Sequence, residues 1–237
     1  MKKRDSWIVA LVVAVFLCSS QTANAGAPGD GLYLGAIVGH GMTQVSGKVT
    51  SLISNADYAT GTYELAEGGV NLAGMQYGGL LGYGVKMGTL LGGIELDYIG
   101  SEEEFKLTSS NAAEVKKGRT ISEITAKKNW TAGPAFRLGV YVNKDTVLSL
   151  KGGVVATEFE VDAGYSGAKE TYTGFGPRYG ANIETAVMDN VSLRVEYLVT
   201  DYLTAPLYGI GDDTGRAADT EISGLDTSAR LGVIFTF

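Results

Sequence analysis

The sequence predicts an all-β fold, an eight-stranded antiparallel up-and-down β-barrel, from three observations. Apolar residues alternate with polar or small residues in eight segments, the period-two pattern of strands that have two different faces. Short and long connections alternate strictly between these segments, as in a meander whose short turns all lie at one end. The eighth segment ends on Phe237 itself, where a last strand is needed to close a ring.

Each predicted strand has roughly the ten residues that a tilted strand needs to cross a hydrocarbon layer. In chain order the strands are residues 31–41, 75–87, 90–100, 129–142, 146–159, 174–187, 191–202 and 229–237. In each of the first two, a row of mainly apolar side chains alternates with a second row that is rich in glycine. The third places Glu95 and Asp97 between apolar residues, and two such charges at alternate positions are hard to fit into a buried helix.

The fourth, fifth and sixth segments carry basic residues in their polar rows, with Arg137, Lys151 and Arg178 each between apolar neighbours. Pro134 and Pro177 interrupt two of these strands. Because proline removes a ladder hydrogen bond, we place both near the outer ends of their strands, next to long loops, where the loss is tolerated.

The last two segments show the alternation most regularly. The seventh places Arg194 and Glu196 against a row of valine, leucine and tyrosine. The eighth, "ARLGVIFTF", presents one apolar row that ends on the terminal aromatic residue, and we predict that this residue lies in the periplasmic aromatic girdle. The members of that row that we single out are Leu231, Val233, Phe235 and Phe237.

The connections fall into two classes. Segments two and three, four and five, and six and seven are joined by two or three residues, whereas residues 42–74, 101–128, 160–173 and 203–224 form long loops in this prediction. Outer-membrane barrels have this asymmetry, with short periplasmic turns and long extracellular loops. The sequence therefore predicts a transmembrane barrel in the bacterial outer membrane.

The first 25 residues predict a secretory signal peptide. A basic start precedes an apolar stretch at residues 7–17, and Ala23 and Ala25 form an A-x-A site, so we expect cleavage after Ala25 and one barrel domain at residues 26–237. The alternative is a lipoprotein signal with Cys18 as acceptor, but Leu17 stands where a small residue is expected. No later apolar run reaches the about 18 residues of a membrane-spanning helix.

Composition narrows the classes further. The predicted signal carries three of the 19 basic and one of the 26 acidic residues, so the mature chain has a formal charge of −9, which makes nucleic acid a poor candidate partner. It also carries the only cysteine, so the predicted mature chain has no disulfide.

The predicted strands resemble those of a known family, the eight-stranded outer-membrane barrels of the opacity and OmpA-like, porin-like surface group. The resemblance is carried by "GLYLGAIVGHG", by "GANIETAVMDNVSLRVEY" and by the final "ARLGVIFTF". It implies that Phe235 and Phe237 belong to the signal read by the barrel assembly machinery. The chain departs from the family in its long first loop and in having no peptidoglycan-binding domain after the barrel.

The alternation also predicts a charged lumen. Eight strands enclose a space only wide enough for side chains to fill, so we expect the charges to pair and to plug the barrel. The predicted lumen charges are Lys86, Glu95, Asp97, Arg137, Lys151, Arg178, Glu184, Arg194, Glu196, Asp226 and Arg230.

Motifs for catalysis or cofactors are weak. His40 is the only histidine, and no serine flanks it in its strand, whereas nucleophilic catalysis needs a base within hydrogen-bond reach. The stretch "GGLLGYGVKMG" fits no phosphate-binding motif. Asp212 and Asp213 lack the ligand pattern of a calcium loop, and residues 102–104, three glutamates, indicate a solvated strand end, with divalent ions bridging them to lipopolysaccharide as the alternative.

These observations predict a non-enzymatic surface protein without a cofactor. Its partners would be outer-membrane lipid, lipopolysaccharide and the assembly machinery, with host, matrix or phage ligands at the extracellular loops. Two alternatives stay open, a narrow channel for ions or small solutes and a barrel enzyme that modifies lipid.

Overall fold

The computed structural model describes residues 27–50, 62–64, 70–108, 123–162, 169–206 and 221–237. The predicted signal peptide with Ala23 and Ala25, and the acidic pair Asp212 and Asp213, lie outside these residues. Within the described part of the chain, no helix is long and apolar enough to cross a membrane.

Nine strands make up the described structure. They are β1 (Gly31–Thr50), β2 (Thr62–Glu64), β3 (Val70–Met87), β4 (Leu90–Thr108), β5 (Glu123–Asn143), β6 (Thr146–Asp162), β7 (Lys169–Met188), β8 (Val191–Pro206) and β9 (Glu221–Thr236). Eight of them correspond to the predicted segments. The short β2 pairs only with the far end of β1.

The sheet closes on itself. Each of β1 and β3–β9 pairs antiparallel with its neighbours in chain order, and β9 returns to β1 in a ladder from Tyr33↔Thr236 to Lys48↔Glu221. The backbone N–H of Phe237 donates to the carbonyl oxygen of Leu32 at 2.9 Å, one residue beyond the end of β9. The predicted eight-stranded antiparallel barrel is therefore confirmed.

The strands are longer than predicted. β1 continues to Thr50 and β4 to Thr108, so much of the sequence assigned to long loops is barrel wall. The predicted strands stopped where apolar residues stopped, but backbone pairing between strands does not depend on apolar side chains. The short turns lie at one end of the barrel, and the extended parts of the strands lie at the other end.

The two prolines lie in the middle of their strands rather than near the ends. The β5–β6 ladder skips Gly133 and Pro134, passing from Ala132↔Ala156 to Ala135↔Gly153. The β7–β8 ladder ends at Arg178↔Thr200, directly beside Pro177. Each proline therefore coincides with lost ladder pairs, as its missing N–H requires.

The two faces of the wall are inverted relative to a water-soluble protein. Large apolar side chains point outwards, with Phe136 exposed to 70% and Leu150 to 68%. Charged side chains point inwards, and Arg137 and Glu184 are completely buried. Outer-membrane barrels have this arrangement, with hydrocarbon around the wall and a polar interior.

The charged lumen as candidate functional site

Most of the predicted lumen charges lie inside the barrel. Ten of the eleven are at most 3% exposed, and Lys86 is the exception. Lys86 is exposed at the short-turn end, where its Nζ lies 4.5 Å from the centroid of the Tyr141 ring. Its place at the end of β3, next to the tight turn, puts it at the mouth instead of among the buried charges.

Glu95 makes contacts with several charged residues in the part of the lumen nearer the short turns, called the lower tier here. Its Oε1 accepts hydrogen bonds from Tyr33 Oη at 2.8 Å and from Arg194 NH1 at 2.7 Å. Its Oε2 lies 2.9 Å from Lys151 Nζ, and Arg137 NH1 lies 3.8 Å from its Oε1. One side chain on β4 thus contacts β1, β5, β6 and β8.

Glu184 is the second acceptor in this lower tier. Arg194 donates to its Oε2 from NH2 at 2.8 Å and from Nε at 3.0 Å, and Arg137 NH1 lies 2.8 Å from the same oxygen. Ser192 Oγ donates to the other oxygen at 2.5 Å. Charge-assisted bonds of this kind are the strong ones in a low-dielectric interior.

Asp97 connects the middle of the lumen. Its Oδ2 lies 3.2 Å from Arg178 NH1, 3.3 Å from Lys151 Nζ and 3.6 Å from Arg230 NH1. Glu196 faces the same cations, with Oε2 3.5 Å from Lys151 Nζ and Oε1 3.8 Å from Arg230 NH1. These contacts join five strands of the ring.

An upper tier was missed by sequence reasoning. Glu103, predicted as part of a solvated strand end, is completely buried, and its Oε1 accepts from Lys128 Nζ at 2.9 Å and from Gln76 Nε2 at 2.7 Å. Thr43 Oγ1 donates to its Oε2 at 2.6 Å, and Lys128 Nζ lies 2.9 Å from Asp226 Oδ1. The prediction of a solvated Glu103 is therefore wrong.

The error comes from the predicted end of the strand, since Glu103 continues the inward row of Glu95 and Asp97 along β4. The β4–β5 register shifts between Gly100 and Glu103, and the β5–β6 register shifts between Lys128 and Trp130. On β5 the inward row changes phase at the second of these shifts, so strict alternation from Thr131 would place Lys128 on the outer face. The acidic run at residues 102–104 does pair with the lysines of β5, Glu103↔Lys128 and Glu104↔Lys127, and a search for facing opposite charges would have found this signal.

The buried charges balance. Among the described residues, six cations and six anions are buried in the lumen: Lys128, Arg137, Lys151, Arg178, Arg194 and Arg230, with Glu95, Asp97, Glu103, Glu184, Glu196 and Asp226. Buried charges are tolerated when they are paired. Because the numbers of buried cations and anions are equal, every buried charge in the lumen has a possible partner of opposite sign.

Aromatic rings lie beside the upper tier, and Phe159 is paired with Lys128 in the β5–β6 ladder. Phe159 stacks on Tyr172 with ring centroids 5.4 Å apart and meets the edge of Tyr202 at 5.2 Å. The hydroxyls of Tyr202 and Thr157 are 3.0 Å apart, and Thr157 is 2.9 Å from Thr131. Aromatic and hydroxyl side chains thus lie in the lumen next to the upper tier.

The catalytic candidates are not brought together. His40 is exposed on the outer row of β1, where it pairs in register with Met75 and Ala229. The lumen serines and carboxylates therefore lie on the opposite face of the wall. In the described ranges no group of three or more histidine, cysteine, aspartate or glutamate residues could hold a metal ion.

The predicted assembly residues share the outer row of β9. In the ladder with β1, Leu231 pairs with Val38, Val233 with Ala36, and Phe235 with Leu34. Leu231, Val233 and Phe237 are exposed on the outer face, and Phe235 is partly exposed. The row lies at the closing seam of the barrel.

Comparison with known proteins identifies a family. Residues 10–235 match a family model described as the outer membrane protein beta-barrel domain. No curated protein sequence matches the chain.

Solved structures to which the chain is similar include Ail, the attachment invasion locus protein of Yersinia pestis, at 12% identity over 86% of this chain and 99% of that chain (TM-score 0.40). Neisserial surface protein A matches at 14% identity over 88% and 98% (TM-score 0.45). The outer membrane protease OmpT from Escherichia coli matches at 11% identity over 92% and 99% (TM-score 0.46). At these identities the likeness concerns the fold alone.

Proposed function

Since the chain belongs to the outer membrane protein beta-barrel family, we propose that it is a non-enzymatic surface protein of the outer membrane with a closed lumen. In this proposal the barrel is a rigid base, and the connections at its extracellular end make the contacts with other molecules. The observation that carries it is the balanced set of twelve buried charges across the lumen.

The size of the barrel supports a closed lumen. Eight strands leave an interior that side chains can fill, whereas barrels of roughly 16 strands leave a water channel. Here the interior holds five arginines and lysines in direct ion pairs with Glu95, Asp97 and Glu184, at distances from 2.7 to 3.8 Å. A solute would have to displace these pairs to pass.

The length of the strands supports a role at the cell surface. The barrel strands have 16 to 21 residues, and a tilted strand needs only about 9–11 to cross the hydrocarbon. Because the short turns close the periplasmic end, the extra wall continues on the extracellular side. It would hold the long connections away from the lipid, where a host, matrix or phage ligand or lipopolysaccharide could meet them.

The outward position of His40 supports a non-enzymatic role, since it is separated by the wall from the lumen serines and carboxylates. General base catalysis needs such a group within hydrogen-bond reach of the nucleophile. We also propose that Phe235 and Phe237 present the terminal strand to the barrel assembly machinery. Their outer-row position at the closing seam is compatible with that role.

A narrow channel is the second candidate, and one observation favours it. Ser149 Oγ, both polar atoms of the Asn182 side chain and Ser228 Oγ are buried without a hydrogen-bond partner in the part of the chain that the structure describes. Ser149 and Asn182 are directly paired in the β6–β7 register. Polar atoms of this kind could be hydrated, and a hydrated path would carry small ions.

Attachment of whole cells tests the surface role. Cells that display the chain are compared with cells that display a variant whose residues 109–122 are replaced by a short glycine–serine turn, on immobilised matrix proteins and on lipopolysaccharide-coated surfaces. We expect attachment above that of cells without the protein, and its loss in the variant while the barrel still folds. Equal attachment of all three strains on every surface would refute the surface role.

A further inference from the structure

The residues before β1 form a turn at the short-turn end of the barrel. The N–H of Asp30 donates to the carbonyl oxygen of Ala27 at 2.9 Å, and Pro28 and Gly29 within this turn are buried. The carboxylate Oδ1 of Asp30 accepts the backbone N–H of Lys86 at 2.9 Å. The turn is thereby fixed to the end of β3.

Tyr141 holds the same turn from the lumen side. Its hydroxyl donates to the carbonyl oxygen of Pro28 at 2.8 Å. Its ring packs with Leu91 and Val147, and Ala27 lies against this apolar cluster. Since these three residues come from β5, β4 and β6, the turn crosses the mouth of the barrel.

Two glycines shape the place where the turn sits. Gly29 has a φ of 78°, and a Cβ there would lie 2.9 Å from Arg137 NH1 and 3.1 Å from Leu91 Cδ2. Gly84 lies beneath the turn, and a Cβ at that position would collide with the carbonyl oxygen of Gly29. The turn therefore reaches Arg137, a member of the buried charge network.

We propose that residues 27–30 are a stopper that seals the periplasmic mouth of the lumen. The proposal deepens the closed lumen of the proposed function and rests on it, because it adds a second closure made of backbone and apolar contacts instead of charges. The Arg137–Glu184 pair, 2.8 Å between NH1 and Oε2, lies just inside this mouth. Keeping water away from such a pair preserves the low dielectric in which it is strong.

Labelling of a buried thiol tests the stopper. Ser149 is 2% exposed and lies on the lumen face of β6, one inward-facing position above Val147. The only cysteine of the chain, Cys18, falls in the predicted signal peptide, so Ser149→Cys supplies a single reporter in the purified barrel without that segment. The rate of its reaction with methyl methanethiosulfonate is measured in folded, detergent-solubilised protein.

Gly29→Val in the reporter background should raise the labelling rate about tenfold or more, since a strained backbone of this kind costs enough to drive the turn out of its seat. Gly88→Val is the matched control. Gly88 also has a positive φ, 65°, but a Cβ there has nothing within 4 Å, and it lies in a tight turn away from the lumen. We expect its labelling rate to equal that of the reporter alone.

Tyr141→Phe is a second, milder variant, and it tests the stopper if Gly29→Val does not fold. Loss of its one hydrogen bond should speed labelling about fivefold. Folding of every variant is verified by its faster migration on unboiled gels. Unchanged labelling in Tyr141→Phe, or equal acceleration in Gly29→Val and Gly88→Val, would overturn the stopper. The closed lumen of the proposed function is tested separately. Steady ion conduction by the wild-type barrel would refute it, whatever the labelling ratios show.

Discussion

Glu95 on β4 and Arg194 on β8 meet inside the barrel, with 2.7 Å between Oε1 and NH1. The two strands are four steps apart around an eight-stranded ring, so no backbone ladder connects them. The pair therefore joins opposite walls, and Lys151 and Arg137 complete a cross-link through the same carboxylate.

Glu95→Gln should destabilise the barrel strongly. The neutral amide deprives the buried cations Arg194 and Lys151 of the negative charge that they contact. Removing one partner of a buried ion pair in this way costs about 3–5 kcal/mol. Urea unfolding in lipid vesicles, followed by tryptophan fluorescence, measures the change in the free energy of unfolding. Glu104→Gln is the control. Glu104 Oε2 lies 3.4 Å from Lys127 Nζ in a solvent-exposed ion pair, and such pairs contribute about 0–1 kcal/mol. Equal losses in the two variants would contradict the cross-link.

The upper tier should behave as a coupled unit. Lys128→Met leaves Glu103 and Asp226 without their shared cation, and Glu103→Gln leaves Lys128 with one anion. For two residues in direct contact, the double variant should be less destabilised than the sum of the singles, by about 0.5–3 kcal/mol. The same vesicle unfolding assay supplies all four corners of the cycle, and strict additivity would mean that the contact contributes nothing.

Closure of the barrel should depend on the terminal aromatic residue. Phe237→Ser places a hydroxyl on the outer row beside the β1–β9 seam, and we expect less folded protein in the outer membrane and more degradation in the periplasm. Phe175→Ser is the control, because Phe175 is also outward-facing and exposed but lies on β7. The folded fraction on unboiled gels is the readout. If Phe237→Ser matches the wild type, the assembly role is wrong.

Topology should follow the lengths of the connections. An epitope inserted between Asn111 and Ala112 should bind antibody on intact cells, whereas one inserted at Asn143, beside a tight turn, should bind only after the outer membrane is opened. The opposite labelling pattern would reverse the orientation of the barrel.

The sequence was sufficient for the fold, because hydrocarbon outside and charge inside impose the strongest alternation that a strand can carry. Leu138 and Leu150, both outward-facing, follow that rule, and so do their buried chain neighbours Arg137 and Lys151. The pairing of the last strand with β1 also follows, because open sheet edges cannot lie in lipid, and the β1–β9 ladder confirms it.

The sequence was insufficient where the alternation breaks or where polar residues line both faces. Glu103 continues the inward row of β4 but lies beyond the predicted end of that strand, and Lys128 lies beside a register shift that changes the inward row of β5. Lys86 lies on the inward face of β3, as the alternation predicts. It is exposed because it lies at the end of the strand, at the mouth of the barrel. The turn at residues 27–30 precedes the first strand and carries no periodic signal.

Ion conduction through single barrels in planar lipid bilayers tests the closed lumen most directly. The twelve buried charges of the lumen lie in paired contacts, and eight strands enclose a space that side chains can fill. Wild-type protein should therefore show at most rare, small and brief openings at moderate salt, and Glu95→Gln should show more leakage. Large, steady wild-type openings of porin size would contradict the closed lumen and favour the channel.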